Sequence, residues 1–258
     1  KDSSPKDQNF KEIITQNIDF NNRSKNYELI LDLDQLNQFI LKIRDKNIIA
    51  LDCETDSLDP VSANLVGISI AYDLGQSCYI PLRHGSNLNN VDLLTEQENT
   101  EFTKQIEFKD ALCVLKNIFE DKSILKVGHN IKFDSLVLKQ NKNGLVNVNP
   151  LADTMCMSYV LNLGKVQNHK LDTLALKEFN YKTIKFEDVC GKGVNQKSFD
   201  QIHPKDAFEY AAEDADVTFA LYKLYSNSLY LNKKSTIYEK LERSLIPVLI
   251  DIENEGII

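Results

Sequence analysis

The order of strand-like and helix-like segments predicts an α/β fold in which a mixed β-sheet is flanked by helices. Three β-rich runs lie close together between residues 47 and 82, as they do in an antiparallel meander. Beyond them, a further strand-like run alternates with segments whose apolar residues recur at helical spacing. Strands first, and then strands alternating with helices, indicate one mixed sheet with helices packed on it.

Each element follows from its local pattern. The polar residues 1–26 lack sustained periodicity and precede a short strand-like run at residues 27–31. Polar residues 83–107 are expected to form a loop or a partly helical insertion, and the Gly-containing residues 186–199 are expected to be irregular. Further strands are expected at residues 47–55, 65–72, 77–82 and 123–128, and helices around residues 36–43 and at 110–119, 130–139, 153–162, 171–179, 205–225 and 238–254.

Composition excludes several classes of protein. The chain has 258 residues, 42% of them hydrophobic, which is enough for one well-buried domain. No apolar run approaches the ~18 residues that a membrane-spanning helix needs. The five cysteines are widely spaced and include no CxxC pair, which argues for reduced thiols and against a disulfide framework or a zinc site. We therefore expect an intracellular, soluble protein.

Asp52 and Glu54 end a strand that is apolar enough to be central in the sheet. Because side chains alternate across a strand, both carboxylates share a face with Ile48 and Ala50. Two like charges at this range are costly unless a cation lies between them. Ligands also bind at the C-terminal ends of strands in open α/β sheets. An ordinary strand end, where Asp and Glu open a turn, explains the pair alone equally well.

A second acidic position follows the strand at residues 123–128. Asn130 is the expected N-cap of the next helix, and Asp134 lies one turn further on the same face. The helix dipole also favours an Asp near a helix N-terminus, so this position needs no function when it is considered alone.

The helix at residues 205–225 carries the third position, Tyr210 and Asp214, which are four residues apart. A carboxylate on a partly apolar face needs a partner, and a metal ion is one candidate. A solvated acidic helix is the alternative interpretation. An apolar stripe on the opposite side consists of Phe208, Ala211, Ala212, Ala215 and Phe219, and the flank expected to be solvated carries Glu209, Glu213 and Asp216.

Taken together, the acids Asp52, Glu54, Asp134 and Asp214 are hard oxygen ligands that suit Mg²⁺ or Mn²⁺ better than zinc. Two such ions ~3.5–4 Å apart can clamp both the attacking and the leaving oxygen of a phosphodiester displacement. The combination therefore points to metal-dependent phosphodiester chemistry more strongly than any one position does.

Three segments resemble the motifs of a known family. Residues 51–59 (LDCETDSLD), 127–134 (VGHNIKFD) and 210–217 (YAAEDADV) resemble the three motifs of the proofreading 3′-5′ exonuclease domain of bacterial DNA polymerase I, in the DEDD (DnaQ-like) superfamily. Residues 153–162 and 186–193 are also similar to this family, so the resemblance extends over about residues 27–225. Tyr210 stands four positions before Asp214, as in the tyrosine type. The resemblance implies a ribonuclease H-like fold.

The same resemblance implies the role of each site residue. Asp52, Glu54, Asp134 and Asp214 would hold two divalent cations, Mg²⁺ or Mn²⁺, and Tyr210 would orient the attacking hydroxide. Leu58 matches a position that wedges between the last two bases, Phe186 matches one that stacks on the terminal base, and Thr55 and Asn130 would contact the terminal nucleotide. The chain departs from the family at two positions: it has His129 where Gln is common and Cys53 where Thr is common.

The resemblance also implies how the chain is organised and what it binds. Residues 1–26 would be a linker from a missing N-terminal domain, 27–228 the exonuclease domain and 229–258 the start of a truncated polymerase domain. The expected partners are single-stranded or frayed 3′ DNA ends and the covalently continuous polymerase domain, in a monomer without membrane contact. The expected location is the cytoplasm of a bacterium, in association with the nucleoid, rather than an organelle.

The net charge of −8 argues against a long duplex-binding surface. It argues less against an enzyme that grips a few terminal nucleotides through divalent cations, because such cations offset carboxylates locally. Two alternatives remain open at this point. One is an exonuclease of the same superfamily that acts on RNA, and the other is a non-catalytic module that binds single strands or braces a polymerase.

Overall fold

The computed structural model describes residues 19–85, 105–162, 164 and 167–256. Its strands are β1 (Asn26–Leu29), β2 (Ile48–Thr55), β3 (Leu65–Asp73), β4 (Gln76–Pro81), β5 (Leu125–Gly128) and β6 (Leu151–Asp153). They form one six-stranded sheet in the order β1-β4-β3-β2-β5-β6. The antiparallel β2–β3 and β3–β4 pairs confirm the predicted meander, and the parallel β1–β4, β2–β5 and β5–β6 pairs make the sheet mixed.

Helices cover the two faces of this sheet. Ile49 and Leu51 of β2 contribute to one hydrophobic core, whereas Ala50 between them faces the other side, because side chains alternate along the strand. The helices are α1 (Leu33–Ile43), α2 (Phe108–Phe119), α3 (Ile131–Lys139), α4 (Thr154–Asn162), α5 (Leu171–Phe179), α6 (Phe186–Cys190), α7 (Pro204–Leu231) and α8 (Arg243–Asn254). A single helical turn at Ser235–Ile237 and a π-helical turn at Tyr238–Glu242 precede α8.

The long helix α7 packs across the centre of the sheet. Ala215 and Phe219 of α7 contact Ala50 of β2 and Ala71 of β3, so small side chains on both surfaces allow a close approach. Ala215 and Phe219 belong to the apolar stripe that the helical spacing predicts. The packing fixes the rotation of α7 and therefore the direction in which its remaining side chains point.

Two predicted segments differ from the structure. The helix expected at residues 153–162 begins at Thr154, because Leu151–Asp153 form a sixth strand. A strand of three residues is too short to show a period of two, and its partner is β5, in which Gly128 pairs with Asp153. Residues 186–199, expected to be irregular, begin with the helix Phe186–Cys190.

The prediction that Glu213 and Asp216 lie on a solvated flank of α7 is wrong. Their exposed fractions are 1% and 0%, whereas Glu209 is exposed as expected. The burial is tolerated because cations from the segment before β1 reach these acids: Lys25 pairs with Glu213, and Arg23 pairs with Asp216. Helical periodicity alone cannot show this, because the compensating charges are about 190 residues away along the chain.

The segments before the first strand and after α7 pack against the rest of the fold. Phe20 is buried, with its ring against Phe179 and Tyr181. At the other end of the chain, Ile246 and Ile250 of α8 join the hydrophobic core. Within the described residues, no helix is both long and apolar enough to span a bilayer.

Most of the predicted insertion at residues 83–107 lies outside the described residues. Its two ends are described and contact each other, because the side chain of Gln105 accepts a hydrogen bond from the His84 N–H and donates one to the His84 carbonyl, each at 2.9 Å.

Candidate active site

The structure brings together the acids that the sequence separates. Asp52 and Glu54 end β2, and Asp214 of α7 approaches them, so that ligand oxygens of all three lie within 4.8 Å of one another. They line a cleft of about 520 Å³. Every candidate site residue named from the sequence lines this same cleft: Asp52, Glu54, Thr55, Leu58, Asn130, Asp134, Phe186, Tyr210 and Asp214.

Asp134 reaches the cleft from α3. The parallel pairing of β2 with β5 places the start of α3 beside the end of β2. The buried Asp134 carboxylate accepts a hydrogen bond from the Cys53 N–H at 2.9 Å. This bond fixes Asp134 against the strand residue between the first two acids, and it gives Cys53 a backbone role while its side chain packs in the core.

The start of α3 is stabilised differently from the prediction. Asn130 occupies the N-cap position, but its backbone is left-handed, with φ 68°, and its side chain makes no capping bond. Instead, the Asp153 carboxylate accepts from the N–H groups of Asn130 and Ile131 at 3.3 and 3.0 Å. An acceptor from the neighbouring strand β6 therefore caps the helix, and this leaves the Asn130 side chain on the wall of the cleft.

The carboxylates of the cleft repel one another. Burial and the neighbouring charges of Asp52, Asp214 and Asp134 raise the pKa of Glu54 well above its usual range. Burial raises the pKa of Asp52 to about 6. Burial and the charge of Asp52 also raise the pKa of Asp134 and of Asp214, against opposing hydrogen bonds from the Cys53 N–H and from Tyr210.

A cation would relieve this repulsion. Among the described residues, one buried oxygen of Glu54 (Oε1) has no hydrogen-bond partner, which is costly for a polar atom removed from water. The donors around it are carboxylate oxygens, which hard divalent cations prefer. The residues present therefore fit a divalent metal ion.

Tyr210 lies beside Asp214 on α7. Burial, followed by the charges of Asp214 and Glu54, raises the pKa of its phenol well above the usual range. The hydroxyl therefore stays protonated at neutral pH. It can therefore orient a ligand by hydrogen bonding.

An apolar pair flanks the acids. Leu58 is 94% exposed and Phe186 is 37% exposed, so neither is an ordinary core residue. The Phe186 ring lies 6.3 Å, between centroids, from each of the rings of Phe199 and Tyr210. Exposed apolar side chains beside a polar cleft are suited to contact the flat faces of bases.

Sequence reasoning missed Phe199 and Lys197, which also line the cleft. They follow α6 in a stretch without helical or strand periodicity, so no local signal marks them. Lys197 is exposed and is the only lysine or arginine that lines the cleft within the described residues. His129 lines it too, but its two ring nitrogens are engaged with Thr154 Oγ1 and the His169 carbonyl, and burial lowers its pKa to about 4.

A mixed sheet with a carboxylate cluster at the end of its central strand, faced by a long helix, is a ribonuclease H-like fold. The chain belongs to the 3′-5′ exonuclease family, whose pattern matches residues 27–229. It is 37% identical over 240 residues to DNA polymerase I of Rhizobium leguminosarum and 35% identical over 231 residues to DNA polymerase I of Pseudomonas aeruginosa. These alignments cover 90% and 89% of this chain but only 23% and 24% of the relatives.

Solved structures share the fold. Brucella melitensis NrnC superposes with a TM-score of 0.62 at 18% identity, covering 91% of this chain and 95% of its own. Escherichia coli RNase D, an exoribonuclease, gives 0.61 at 18% identity and covers 90% of this chain and 52% of its own. Pol1 from M. smegmatis, in complex with DNA primer-template and dNTP, superposes with a TM-score of 0.64 at 13% identity, covering 90% of this chain and 32% of its own.

Proposed function

We propose that this chain removes nucleotides one at a time from the 3′ end of DNA by hydrolysing the terminal phosphodiester, with two divalent cations and nucleoside 5′-monophosphates as products. The observation that carries the proposal is the cluster of Asp52, Glu54 and Asp214, with a buried, unpartnered oxygen on Glu54. Structural acids normally find donors inside the fold, as Glu213 and Asp216 do here.

In this proposal Asp52, Glu54 and Asp214 hold one cation, and Asp52 together with Asp134 holds the second. Bound there, Mg²⁺ or Mn²⁺ ions supply a water of lowered pKa and offset the charge on the departing 3′ oxygen. Tyr210, held protonated by its surroundings, orients the attacking oxygen. Glu54 assists as a hydrogen-bond acceptor.

The exposed apolar pair binds the terminal nucleotides. Leu58 inserts between the last two bases, Phe186 stacks on the terminal base, and Thr55 and Asn130 contact the terminal nucleotide. Stacking on an aromatic ring tolerates every base, as a proofreading enzyme requires. Since a strand must be unpaired before it enters the cleft, a mismatched 3′ end should be cut faster than a matched one.

DNA is favoured over RNA as the substrate because the relatives at 35% and 37% identity are DNA polymerases. The likeness to RNase D, at 18% identity, supports only the fold. The relatives' greater length supports a chain that continues into a polymerase domain, with residues 27–228 as the exonuclease domain and 229–258 as the start of the polymerase domain. We place this monomer in the bacterial cytoplasm, at the nucleoid.

The test is a time course with 5′-labelled single-stranded DNA and Mg²⁺. We expect a ladder that shortens from the 3′ end, and Asp52→Ala should be slower by at least about a hundredfold because it removes a ligand shared by both cations. RNA of the same sequence and duplexes with matched or mismatched 3′ ends run in parallel. Faster cleavage of the RNA would overturn the DNA assignment. Equal rates for wild type and Asp52→Ala would overturn the mechanism.

A further inference from the structure

Two buried acids on α7, Glu213 and Asp216, lie outside the catalytic cleft and are each held by three donors. In both cases the donors are a cation from the segment before β1, a tyrosine hydroxyl and a backbone N–H. The two sets differ in where the backbone N–H comes from, and this difference separates their roles.

Glu213 connects α7 to the segment that leads into α6. Its Oε2 accepts from the Ile184 N–H at 2.7 Å, while its Oε1 accepts from the Tyr181 hydroxyl and from Lys25 Nζ, the latter at 3.1 Å. Ile184 is two residues before Phe186, the first residue of α6. Glu213 is also the residue directly before Asp214. One carboxylate therefore ties the Phe186 segment to the helix that carries Asp214.

Asp216 makes an equivalent set of bonds to a different part of the fold. It accepts from the Gly75 N–H at 2.9 Å and from the Tyr27 hydroxyl at 2.6 Å, and it pairs with Arg23. Gly75 lies in the turn between β3 and β4. These bonds fasten α7 to the sheet and make no connection to Phe186, so Asp216 is a matched internal control.

The Phe186 ring needs such a tie. Residues 180–185 belong to no helix or strand, so the regular hydrogen bonds of a secondary structure do not hold them. The ring itself is partly exposed, and its contacts with Phe199 and Tyr210 have centroid separations of 6.3 Å. The direction of the ring therefore depends on where the backbone before it is fixed.

We propose that Glu213 is a positioning residue that fixes Phe186 over the cleft, at a set distance from Asp214 and Tyr210. This inference rests on the proposed function for the role of Phe186 as a base-stacking residue. Glu213→Gln keeps the size of the side chain but replaces one acceptor oxygen by an NH₂ donor. Whichever way the amide turns, its NH₂ group then faces either the Ile184 N–H or Lys25 Nζ, and neither of these can accept a hydrogen bond.

The first measurement needs no catalytic activity. Amide hydrogen exchange is followed by mass spectrometry in the full chain for wild type, Glu213→Gln and Asp216→Asn. We expect Glu213→Gln to speed exchange at least about tenfold in peptides that cover residues 181–190, while Asp216→Asn leaves these peptides unchanged. Unchanged exchange in Glu213→Gln, or equal acceleration in both variants, would overturn the proposal.

The second measurement is steady-state hydrolysis of single-stranded DNA, well below the lowest Tm of the variants. Glu213→Gln should raise KM about fivefold with a smaller effect on kcat, and should add less than about twofold to KM in a Phe186→Ala background, because both changes remove the same stacking contact. Additive effects would contradict a role through Phe186. If Glu213→Gln does not fold, Glu213→Asp, whose carboxylate is drawn back by one methylene, is subject to the same criteria. An inactive wild type would refute the proposed function, and the exchange data would still decide the positioning role.

Discussion

At the scale of single residues, the cleft acids lower the stability of the fold, and a bound cation would offset this cost. Glu54 is the clearest case, since it is 7% exposed and one of its oxygens is unpartnered within the described residues. In the unfolded chain the same carboxyl group is ionised and hydrated at neutral pH. Folding without a metal ion therefore loses free energy at this position, whether Glu54 becomes protonated or remains charged beside Asp52.

Glu54→Gln should for this reason raise the Tm in a chelating buffer while it removes activity. We expect a rise of about 2–4 °C, since ~1 kcal/mol corresponds to that shift in a domain of this size. In Mn²⁺ the wild type should instead have the higher Tm, because it gains binding free energy that Glu54→Gln lacks. Asp216→Asn, which breaks a satisfied buried network, should lower the Tm in both buffers. A drop in the Tm of Glu54→Gln in chelator would contradict the account.

Asp52 gives a pH dependence with a defined sign. Its pKa is raised to about 6 by burial, from 3.8, so between these values the folded state keeps a proton that the unfolded state has released. The contribution of Asp52 to the free energy of unfolding is therefore complete below about pH 4 and is lost as the pH rises through about 6. Because Asp52 is only half-buried, we expect this loss to be at most about 2 kcal/mol.

The measurement is urea denaturation in chelator at a series of pH values, for wild type and Asp52→Asn. The difference in the free energy of unfolding, variant minus wild type, should grow between about pH 4 and 6 and then level off. A difference that is constant across this range would show that Asp52 does not titrate as described.

Lys197 is exposed and lines the cleft, so under the proposed function it would contact a phosphate of the bound DNA strand. Each phosphate contact contributes about −0.7 to the slope of log K against log[salt] for single strands. Lys197→Ala should therefore weaken binding of a single-stranded DNA and make the slope shallower by about 0.7, measured by fluorescence anisotropy in Ca²⁺. Lys192→Ala is the control, because Lys192 pairs with Glu187 and does not line the cleft. An identical slope for both variants would exclude the contact.

At the scale of elements, β3 and β4 show how tightly the sheet is packed beside the site. A Cβ added at Gly67 of β3 would overlap the hydroxyl end of Tyr79, which is fully buried and bonded to His84 Nε2 at 2.5 Å. The ring therefore has no free direction in which to move. Gly67→Ala should destabilise the fold by about 2 kcal/mol, measured by urea denaturation.

Gly193→Ala is the matched control for this change. The backbone of Gly193 has a φ of +60°, but a Cβ there would meet no atom within 4 Å. Only the conformational cost remains, about 1 kcal/mol. If Gly67→Ala proved no more destabilising than Gly193→Ala, the packing described for Tyr79 would be wrong.

The secondary-structure elements also show which features of the site can be predicted from the sequence and which cannot. Alternation along β2 correctly placed Asp52 and Glu54 together, and helical spacing correctly gave α7 its buried alanine stripe. Both patterns are local. The burial of Glu213 depends on its ion pair with Lys25. Lys25 lies in a polar segment without periodicity, so no sequence pattern identifies it as the partner of Glu213. Asp153, which caps α3 in place of the Asn130 side chain, belongs to a strand too short to be recognised.

At the scale of the whole molecule, the site exists because the sheet topology joins distant segments. The order β3-β2-β5 puts the ends of β2 and β5 side by side, and α7 crosses the sheet at that point. Asp52 and Asp214 are thereby brought into one cluster although 162 positions (214 − 52) separate them in the sequence. The sequence motifs identify the acids, but only the fold explains why they lie close together.

The most direct test of this account is a calorimetric titration of the full chain with Mn²⁺ at neutral pH. We predict uptake of about two ions per chain in wild type, loss of both in Asp52→Ala, loss of one in Asp134→Ala, and unchanged uptake in Asp216→Asn. Wild type that binds no Mn²⁺, or that binds it as well after Asp52→Ala, would contradict the central claim that these acids form a metal centre.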